Sequence, residues 1–267
     1  KVFKHQKIIH NNLMSIEYYL KLHHQHQQLR KIKRNNQQFL LARSQIKNNC
    51  FSEKNREIVI ARYLETPDWS LPYKYMSTIY NKKYKPGDIE FIDYSGPVLD
   101  NVGRESHTYL THIVNRWNTL KDYTFFAQGE LDPAHVPYPL ETYFLKEDFI
   151  CNPNMRGITF KDRQGGFLKH TGKWLDEYNA GWLRPAKLPL DQWWRTYLQI
   201  PEPDCWSKLC WSHGALFSVS RKRIQQFDRS YYERLLSTVS DDVNPEEGHY
   251  FERAWYSLFS YQKMIKP

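Results

Sequence analysis

Residues 57–129 contain three short apolar runs, with one amphipathic segment between the second and the third. The order of these four segments constrains the fold more than any other feature of the chain. EIVIARY at 57–63, MSTIYNK at 76–82 and YTFFAQG at 123–129 each have the length and the β-branched or aromatic content of a buried strand. Between the last two runs, RESHTYLTHIVNRW at 104–117 repeats apolar residues at the spacing of one helix face. This order of strand, strand, helix and strand predicts an α/β domain with a mostly parallel sheet.

Polar side chains stand where these predicted elements meet their loops. Arg62 and Asn81 fall at the ends of the first two strands, and Arg104 opens the helix. Glu130 and Asp132 follow the third strand. The carboxyl ends of parallel strands share one edge of a sheet, and α/β proteins bind their ligands at that edge. We therefore expect these side chains to lie around one binding site.

Glu130 and Asp132 admit two interpretations. Two carboxylates on an exposed loop can hold Mg²⁺ or Mn²⁺, which is most useful when a substrate diphosphate shares the ion. Acidic residues also cap the turn after a strand without any metal. The spacing alone favours capping, and a second acidic cluster adds weight to the chemical interpretation.

The second acidic cluster lies near the C-terminal end, in NPEEGHYFERAW at 244–255. Asn244 and Pro245 predict the start of a helix whose buried side carries Tyr250, Phe251, Trp255 and Phe259. The acidic and imidazole groups that follow within two turns are Glu246, Glu247, His249 and Glu252. The helix dipole favours acids in a first turn without any chemistry, but a carboxylate there could also act as a general base toward a sugar hydroxyl.

The net charge of +9 belongs to residues 1–50. This segment holds ten Lys or Arg against Glu17 alone, whereas the rest of the chain has 28 basic and 28 acidic groups. A thin apolar stripe in the segment predicts one or two helices, which we interpret as an extension that docks or self-associates. Contact of this basic arm with a membrane surface or a polyanion is the alternative. The domain itself then covers residues 51–267. Because that domain has no excess of basic residues to form a phosphate track, we predict no nucleic-acid partner.

Cysteine spacing and hydropathy bear on the compartment. The four cysteines have neither a CxxC pair nor zinc spacing, which indicates reduced thiols. No apolar stretch reaches the length of a membrane helix, and no signal-peptide pattern opens the sequence. We expect a cytoplasmic protein without stable membrane insertion.

Residues 151–210 are irregular, and this stretch and the residues just after it are rich in tryptophan. The six indoles are Trp174, Trp182, Trp193, Trp194, Trp206 and Trp211. Aromatic faces beside charged groups suit carbohydrate, although core packing explains most of these tryptophans. Asp191, Asp204 and His213, in or just beyond this segment, are candidates for an acceptor pocket.

Two sets of motifs resemble known glycosyltransferases. GALFSVSRKRI at 214–224, followed by PEEGH at 245–249, is similar to the acceptor-side half of GT-A glycosyltransferases. EIVIARYLETPDW, IYNK, NVGRESHTYLTHI and FFAQG resemble a family of glycosyltransferase-like domains of fungi, bacteria and large algal viruses. Enzymes of chlorella viruses that build capsid glycans are similar as well. The resemblance covers roughly residues 57–259, and NVGRESHTYL is its most specific part.

This resemblance implies a GT-A domain that binds a nucleotide-diphospho-sugar, with a UDP-sugar favoured and UDP-xylose first among them. The implied donor-binding residues are Arg62, Glu65, Asn81, Arg104, Glu105, Gln128 and Gly129. Glu130 and Asp132 would correspond to a metal-binding Asp-x-Asp, here Glu-x-Asp, and would hold Mn²⁺ or Mg²⁺. Glu247 would be the general base of an inverting reaction, with Asp204 in reserve. The implied acceptor-binding residues are Asp191, Trp211, His213, Glu246, His249 and Glu252.

Two other functions fit the same residues. A non-catalytic carbohydrate- or nucleotide-binding module would use the aromatic segment for recognition and the carboxylates for structure. A metal-dependent hydrolase would use Glu130, Asp132 and His135. The neutral domain gives the hydrolase little support, since it has no basic track for a nucleic acid.

Overall fold

The structure is a computed structural model, and it describes residues 55–63, 65–82, 96–132, 136, 140–144, 147–154, 166–204, 206 and 209–261. The predicted basic arm, residues 1–50, lies outside the described residues. Its helices, its self-association and its separation from a domain at 51–267 therefore stay predictions.

Six strands form one sheet in the order β3-β2-β1-β4-β6-β5. Their bounds are β1 Arg56–Arg62, β2 Ser77–Lys82, β3 Val98–Leu99, β4 Tyr123–Gln128, β5 Phe149–Asn154 and β6 Trp211–Ser220. β1 pairs in parallel with β2 and β4, and β3 continues the parallel part beyond β2. β6 runs antiparallel to β4 and β5. The predicted α/β class is confirmed, and the sheet is mixed: three of its five strand pairings are parallel, and β6 makes the two antiparallel ones.

The helices lie between and after these strands. The α-helices are α1 Arg104–Asn115, α2 Lys173–Asn179, α3 Leu190–Trp193, α4 Arg221–Ile224, α5 Arg229–Ser237 and α6 Glu246–Ser260. A π-helical turn, Trp194–Leu198, continues α3, and two 3-10 helices span Asp68–Met76 and Leu140–Phe144. Within the described part of the chain, no helix combines the length and apolar character that crossing a bilayer requires.

Both faces of the central strands are covered. On one face, Phe126 packs against Tyr109 of α1 and Phe217 of β6, with ring centres 5.0 and 5.1 Å apart. On the other face, Phe125 stacks on Tyr143 of the second 3-10 helix at 4.8 Å. Successive side chains of a strand point to opposite faces, so a strand buried on both sides must be apolar at every position. This burial explains why the runs at 57–63 and 123–129 show little polar alternation.

The helix predicted near the C-terminal end is confirmed as α6. Pro245 precedes its first residue, and Tyr250, Phe251, Trp255 and Phe259 are fully buried. Trp255 lies 5.2 Å from Phe217, so α6 covers the same sheet face as α1. The interpretation of most tryptophans as core holds for Trp193 and Trp194, which are also buried.

The strand order creates a crevice beside β1. From β1 the chain moves to β2 and β3 on one side, then returns to β4 on the other side. The connections that follow β1 and β4 run to opposite sides of the sheet, so they separate at the carboxyl ends of these two parallel strands and leave room for a ligand.

A left-handed turn brings α1 into the crevice. Gly103 and Arg104 have φ values of 61° and 52°, and the Gly103 amide donates to the Asp242 carbonyl at 2.8 Å. A Cβ on Gly103 would lie 2.0 Å from the Val239 carbonyl oxygen, so only glycine fits. Arg104 is not glycine, and its backbone is strained. Such strain is typical of residues that a fold holds in place for function.

Candidate functional site

A cavity of about 420 Å³ lies at the carboxyl ends of the parallel strands. Five of the seven predicted donor-binding residues line it, namely Arg62, Glu65, Arg104, Glu105 and Gln128. Residues that the sequence analysis did not assign to a site also line it, among them Tyr63, Lys82, Asn101, Lys173, Trp174 and Glu177. The cavity thus joins the ends of β1, β2 and β4 to the start of α1 and to α2.

The end of β1 forms one bonded unit with its neighbours. Arg62 is 3% exposed, and its guanidinium donates to the Asn81 side-chain oxygen and to the Glu65 carbonyl, both at 2.8 Å. The Glu65 carboxylate accepts from the Tyr63 amide at 2.7 Å. Gly129 lies so close that a Cβ there would be 2.9 Å from this carboxylate. Asn81 and Gly129, the two remaining predicted donor residues, therefore support the cavity wall from behind.

Lys82 ends β2 beside Asn81 and is 5% exposed. Its ammonium donates to the Val102 carbonyl at 2.8 Å and lies 3.1 Å from Nδ1 of His107. Burial lowers the pKa of Lys82 to about 7, although the charges of Glu105 and Asp100 act to raise it. Burial and the Lys82 charge lower the pKa of His107 to about 4, so this imidazole is neutral near pH 7 and can accept the bond.

Arg104 reaches across the cavity from the start of α1. Its guanidinium donates to the Asn244 side-chain oxygen at 3.1 Å and lies 3.7 Å from the Glu105 carboxylate. Asn244 in turn donates to Glu177 of α2 at 3.0 Å. Gly248 leaves space for the arginine, since a Cβ there would be 3.0 Å from the Arg104 Cδ. The guanidinium is fixed from several chain segments, as a ligand-binding group should be.

Trp174 of α2 forms the aromatic wall. The Arg104 guanidinium lies 4.5 Å from its ring centre, and the Lys173 ammonium lies 5.3 Å from it. His249 contacts the same indole from below, with ring centres 4.7 Å apart. An indole beside guanidinium and ammonium groups can stack on a base or a sugar ring.

The cavity carries more positive than negative charge. Its four cations are Arg62, Lys82, Arg104 and Lys173, and its three carboxylates are Glu65, Glu105 and Glu177. Glu177 pairs with Lys173 at 3.5 Å. Burial raises the pKa of Glu105 despite the opposing charge of Arg104. This balance suits an anionic ligand.

The predicted general base, Glu247, is buried and fully bonded. One of its oxygens accepts from the Lys187 amide at 3.1 Å, and the other accepts from the Arg184 guanidinium at 3.0 Å. Glu246 is bonded likewise, to the Ala186 amide at 2.8 Å and to Nε2 of His170 at 3.1 Å. These bonds tie α6 to residues 184–187, and neither carboxylate is part of the cavity lining. In this geometry both glutamates anchor α6, and their chemical roles stay predictions.

Of the other predicted acceptor residues on α6, His249 packs against Trp174, whereas Glu252 bonds to β6. His249 is 4% exposed, and burial, followed by the charges of Arg104, Arg253 and His170, lowers its pKa well below the usual value. The Glu252 carboxylate accepts from the Gly214 amide at 3.0 Å. Arg253 lies over the Trp211 ring at 5.2 Å. Of these residues, His249 supports the aromatic wall of the cavity. The side chain of His213 lies outside the described part.

Asp191 and Asp204 are not brought to the cavity. Asp191 pairs with Arg195 one turn later on the surface, while Asp204 is exposed. Trp182 is 75% exposed, on the turn after α2, and its amide donates to the Glu177 carbonyl at 2.8 Å.

The predicted metal ligands Glu130 and Asp132 are exposed in the loop after β4. Among the described residues, no three His, Cys, Asp or Glu side chains come close enough to hold an ion. Two hard carboxylates fit Mg²⁺ or Mn²⁺ only where a ligand's phosphates complete the coordination. His135, needed for the hydrolase alternative, lies outside the described residues.

Fold and cavity together define an α/β domain with a cation-lined cavity at the ends of its parallel strands. Residues 58–267, most of the chain, match a family described as "Protein of unknown function (DUF3431)", and the chain belongs to this family. Neither the curated proteins nor the solved structures contain a match.

Proposed function

We propose that this chain is a glycosyltransferase that moves a sugar from a nucleotide-diphospho-sugar to a hydroxyl of a glycan. The observation that carries the proposal is the cavity, since five residues implied to bind the donor line one space beside β1. The cavity lies at the point of the sheet where nucleotides are commonly bound. Its cations suit a diphosphate, and Trp174 suits a base or a sugar. A UDP-sugar is the first donor to test, and UDP-xylose leads the series because of the sequence resemblance.

The reaction would be a displacement at the anomeric carbon. The acceptor oxygen forms a bond to that carbon while the bond to the diphosphate oxygen breaks, and the acceptor proton passes to a carboxylate. Arg62, Lys82, Arg104 and Lys173 would offset the charge that develops on the leaving diphosphate. Glu130 and Asp132 would hold a divalent ion, which would supply further charge neutralisation there.

The geometry restricts which carboxylate can act as the general base. Glu247 could act only if it exchanged its bonds to Arg184 and Lys187. Glu105 lines the cavity, and burial raises its pKa, which suits a proton acceptor. We therefore propose Glu105 as the alternative base, with inversion at the anomeric carbon in either case.

A non-catalytic nucleotide- or carbohydrate-binding module is the second candidate. The bonded state of Glu247 favours it, because a binding protein needs no base. Both candidates predict donor binding, and only the enzyme predicts turnover.

Release of nucleoside diphosphate from UDP-, GDP- and TDP-sugars separates the candidates. The panel, which includes UDP-xylose, is run with Mn²⁺, with Mg²⁺ and with chelator, and slow hydrolysis replaces the acceptor. We expect turnover of one donor, lost in Glu105→Gln or in Glu247→Gln according to which is the base. Loss of turnover with chelator and in Glu130→Ala would support the metal role. Donor binding without any turnover would favour the binding module, and neither binding nor turnover would contradict both.

A further inference from the structure

Lys82 is a buried residue of the cavity lining, and its ammonium has no ion pair among the described residues. Its two bonded neighbours, the Val102 carbonyl and the His107 imidazole, are both neutral at neutral pH. An ammonium has three N–H donors, so one remains after these two bonds. A charge removed from water costs free energy unless a partner compensates it. The cavity is the space from which that partner can come.

The charged groups around Lys82 determine whether its ligand partner is neutral, cationic or anionic. Asp100 follows β3, and Glu105 and His107 stand on α1; both carboxylates act on Lys82 through space. Arg62 and Arg104 line the same cavity and add positive charge. A neutral or cationic ligand would leave the ammonium uncompensated, whereas an anionic ligand would complete its bonds.

We propose that Lys82 is the proton-coupled anion contact of the cavity, and that the ligand's diphosphate binds together with a proton taken up by the Lys82 amine. This inference rests on the proposed nucleotide-sugar donor and adds a residue that the sequence resemblance does not imply. In the free protein the pKa of Lys82 is about 7, so much of the amine is unprotonated above neutral pH. A bound anion restores the protonated form, because an opposite charge nearby raises the pKa of an amine.

The sign of the effect follows from linkage. Protonated Lys82 binds the anion, so affinity is full below the pKa of the free protein and falls as pH rises above it. At about pH 8 the wild-type protein should take up close to one proton per ligand, and at about pH 6 almost none. His107, with a pKa of about 4, stays neutral in this range. Glu105 could also take up a proton, since burial raises its pKa, and needs its own control.

Titration calorimetry in two buffers of different ionisation enthalpy counts the protons directly. The probes are UDP-glucose and GDP-mannose, whose diphosphates do not titrate in this range, with uridine as a ligand that lacks phosphate. We expect proton uptake with the nucleotide sugars at about pH 8 and none with uridine. Uptake should persist in Glu105→Gln, although this variant also removes a charge that raises the pKa of Lys82 and so changes the affinity. Lys82→Met should abolish the uptake and weaken binding at about pH 6 by about 10- to 100-fold.

The outcomes separate this inference from the proposed function. Nucleotide-sugar binding without proton uptake in the wild-type protein would overturn the role of Lys82 and leave the donor site standing. The same holds if uptake persists in a folded Lys82→Met variant or disappears in Glu105→Gln. Failure of both nucleotide sugars to bind at either pH would overturn the donor site and the inference with it. If Lys82→Met does not fold, absence of uptake in the wild-type protein still overturns the inference, and uptake that persists in Glu105→Gln still supports it.

Discussion

The guanidinium of Arg104 lies over the indole of Trp174, 4.5 Å from the ring centre, although 70 positions separate the two residues. Arg104 starts α1 and Trp174 lies on α2, so the contact joins the strand-end wall of the cavity to its aromatic wall. Either side chain alone would be a common surface feature. Together they create a flat surface, part cationic and part aromatic, on which a nucleotide can stack.

Replacing Trp174 tests this surface. Trp174→Ala should weaken UDP-glucose binding by about tenfold or more, because stacking and cation–π contacts are each worth about 1 kcal/mol. Calorimetry gives the dissociation constant, and the matched control is Trp182→Ala, which removes an indole that is 75% exposed. Equal losses in the two variants would contradict a specific role for Trp174.

The positive φ of Arg104 predicts that glycine is more stabilising than alanine at this position, the reverse of the usual order in a helix. Because its φ is 52°, Arg104→Gly should be more stable than Arg104→Ala by about 1 kcal/mol in urea unfolding. Both variants should lose donor affinity, since both remove the guanidinium. The control pair is Glu233→Gly and Glu233→Ala, inside α5, where alanine should be the more stable by about 1 kcal/mol. The same order at both sites would argue against strain at Arg104.

The Glu247→Gln variant distinguishes two roles for Glu247, as an anchor of α6 and as the general base. If Glu247 anchors α6, the variant should lose about 1–3 kcal/mol of unfolding free energy, because the Arg184 guanidinium then faces a neutral amide. Asp241→Asn weakens exposed pairs of the same Arg184 and of Lys187, and should cost less than about 1 kcal/mol. A Glu247→Gln variant of full stability that has lost transfer would instead identify Glu247 as the base.

A buried chain of polar contacts gives the fold an acid-sensitive step. Tyr80 lies 3.0 Å from Nδ1 of His112, and Nε2 of His112 lies 3.0 Å from the Glu57 carboxylate. Burial raises the pKa of Glu57, but bonds from His112, Lys121 and Thr124 and the His112 charge outweigh it, so the net pKa is lowered. A lowered pKa stabilises the fold above the unfolded value of about 4.3, and this is lost as pH falls through the folded value.

Urea unfolding near neutral pH and below about pH 4 measures this loss. The wild-type protein should lose stability between the two conditions, and Glu57→Gln should lose less, because it has no proton to gain at that site. A Glu57→Gln variant with the same acid sensitivity as the wild-type protein would show that other groups control it.

The individual strands and helices could be predicted because each is defined by the spacing of apolar residues within a short stretch of sequence. β1, β2, β4 and α1 follow from apolar runs and one helix face, and Pro245 marks the start of α6. The direction of β6 could not be predicted, since an apolar run such as GALFSVS is the same in a parallel and an antiparallel pair. The sheet is mixed for that reason.

The site was predicted where it depends on strand ends and missed where it depends on distant segments. Arg62 follows from its position at the end of β1, whereas Glu65 and Gln128 were implied by the sequence resemblance. Lys82 also ends a strand, and that position was the available signal for it. Trp174 lies in an irregular aromatic segment, and nothing local distinguishes it from the buried Trp193. Only tertiary packing brings its helix against Arg104.

The bonds at the start of α6 have a further consequence for how the fold opens. The amides of Ala186 and Lys187 lie in a loop, yet they donate to the buried carboxylates of Glu246 and Glu247. In hydrogen–deuterium exchange these two amides should therefore be slow, at the rate of the first turn of α6 rather than that of an open loop. The irregular stretch at 184–187 and helix α6 would then open as one cooperative unit.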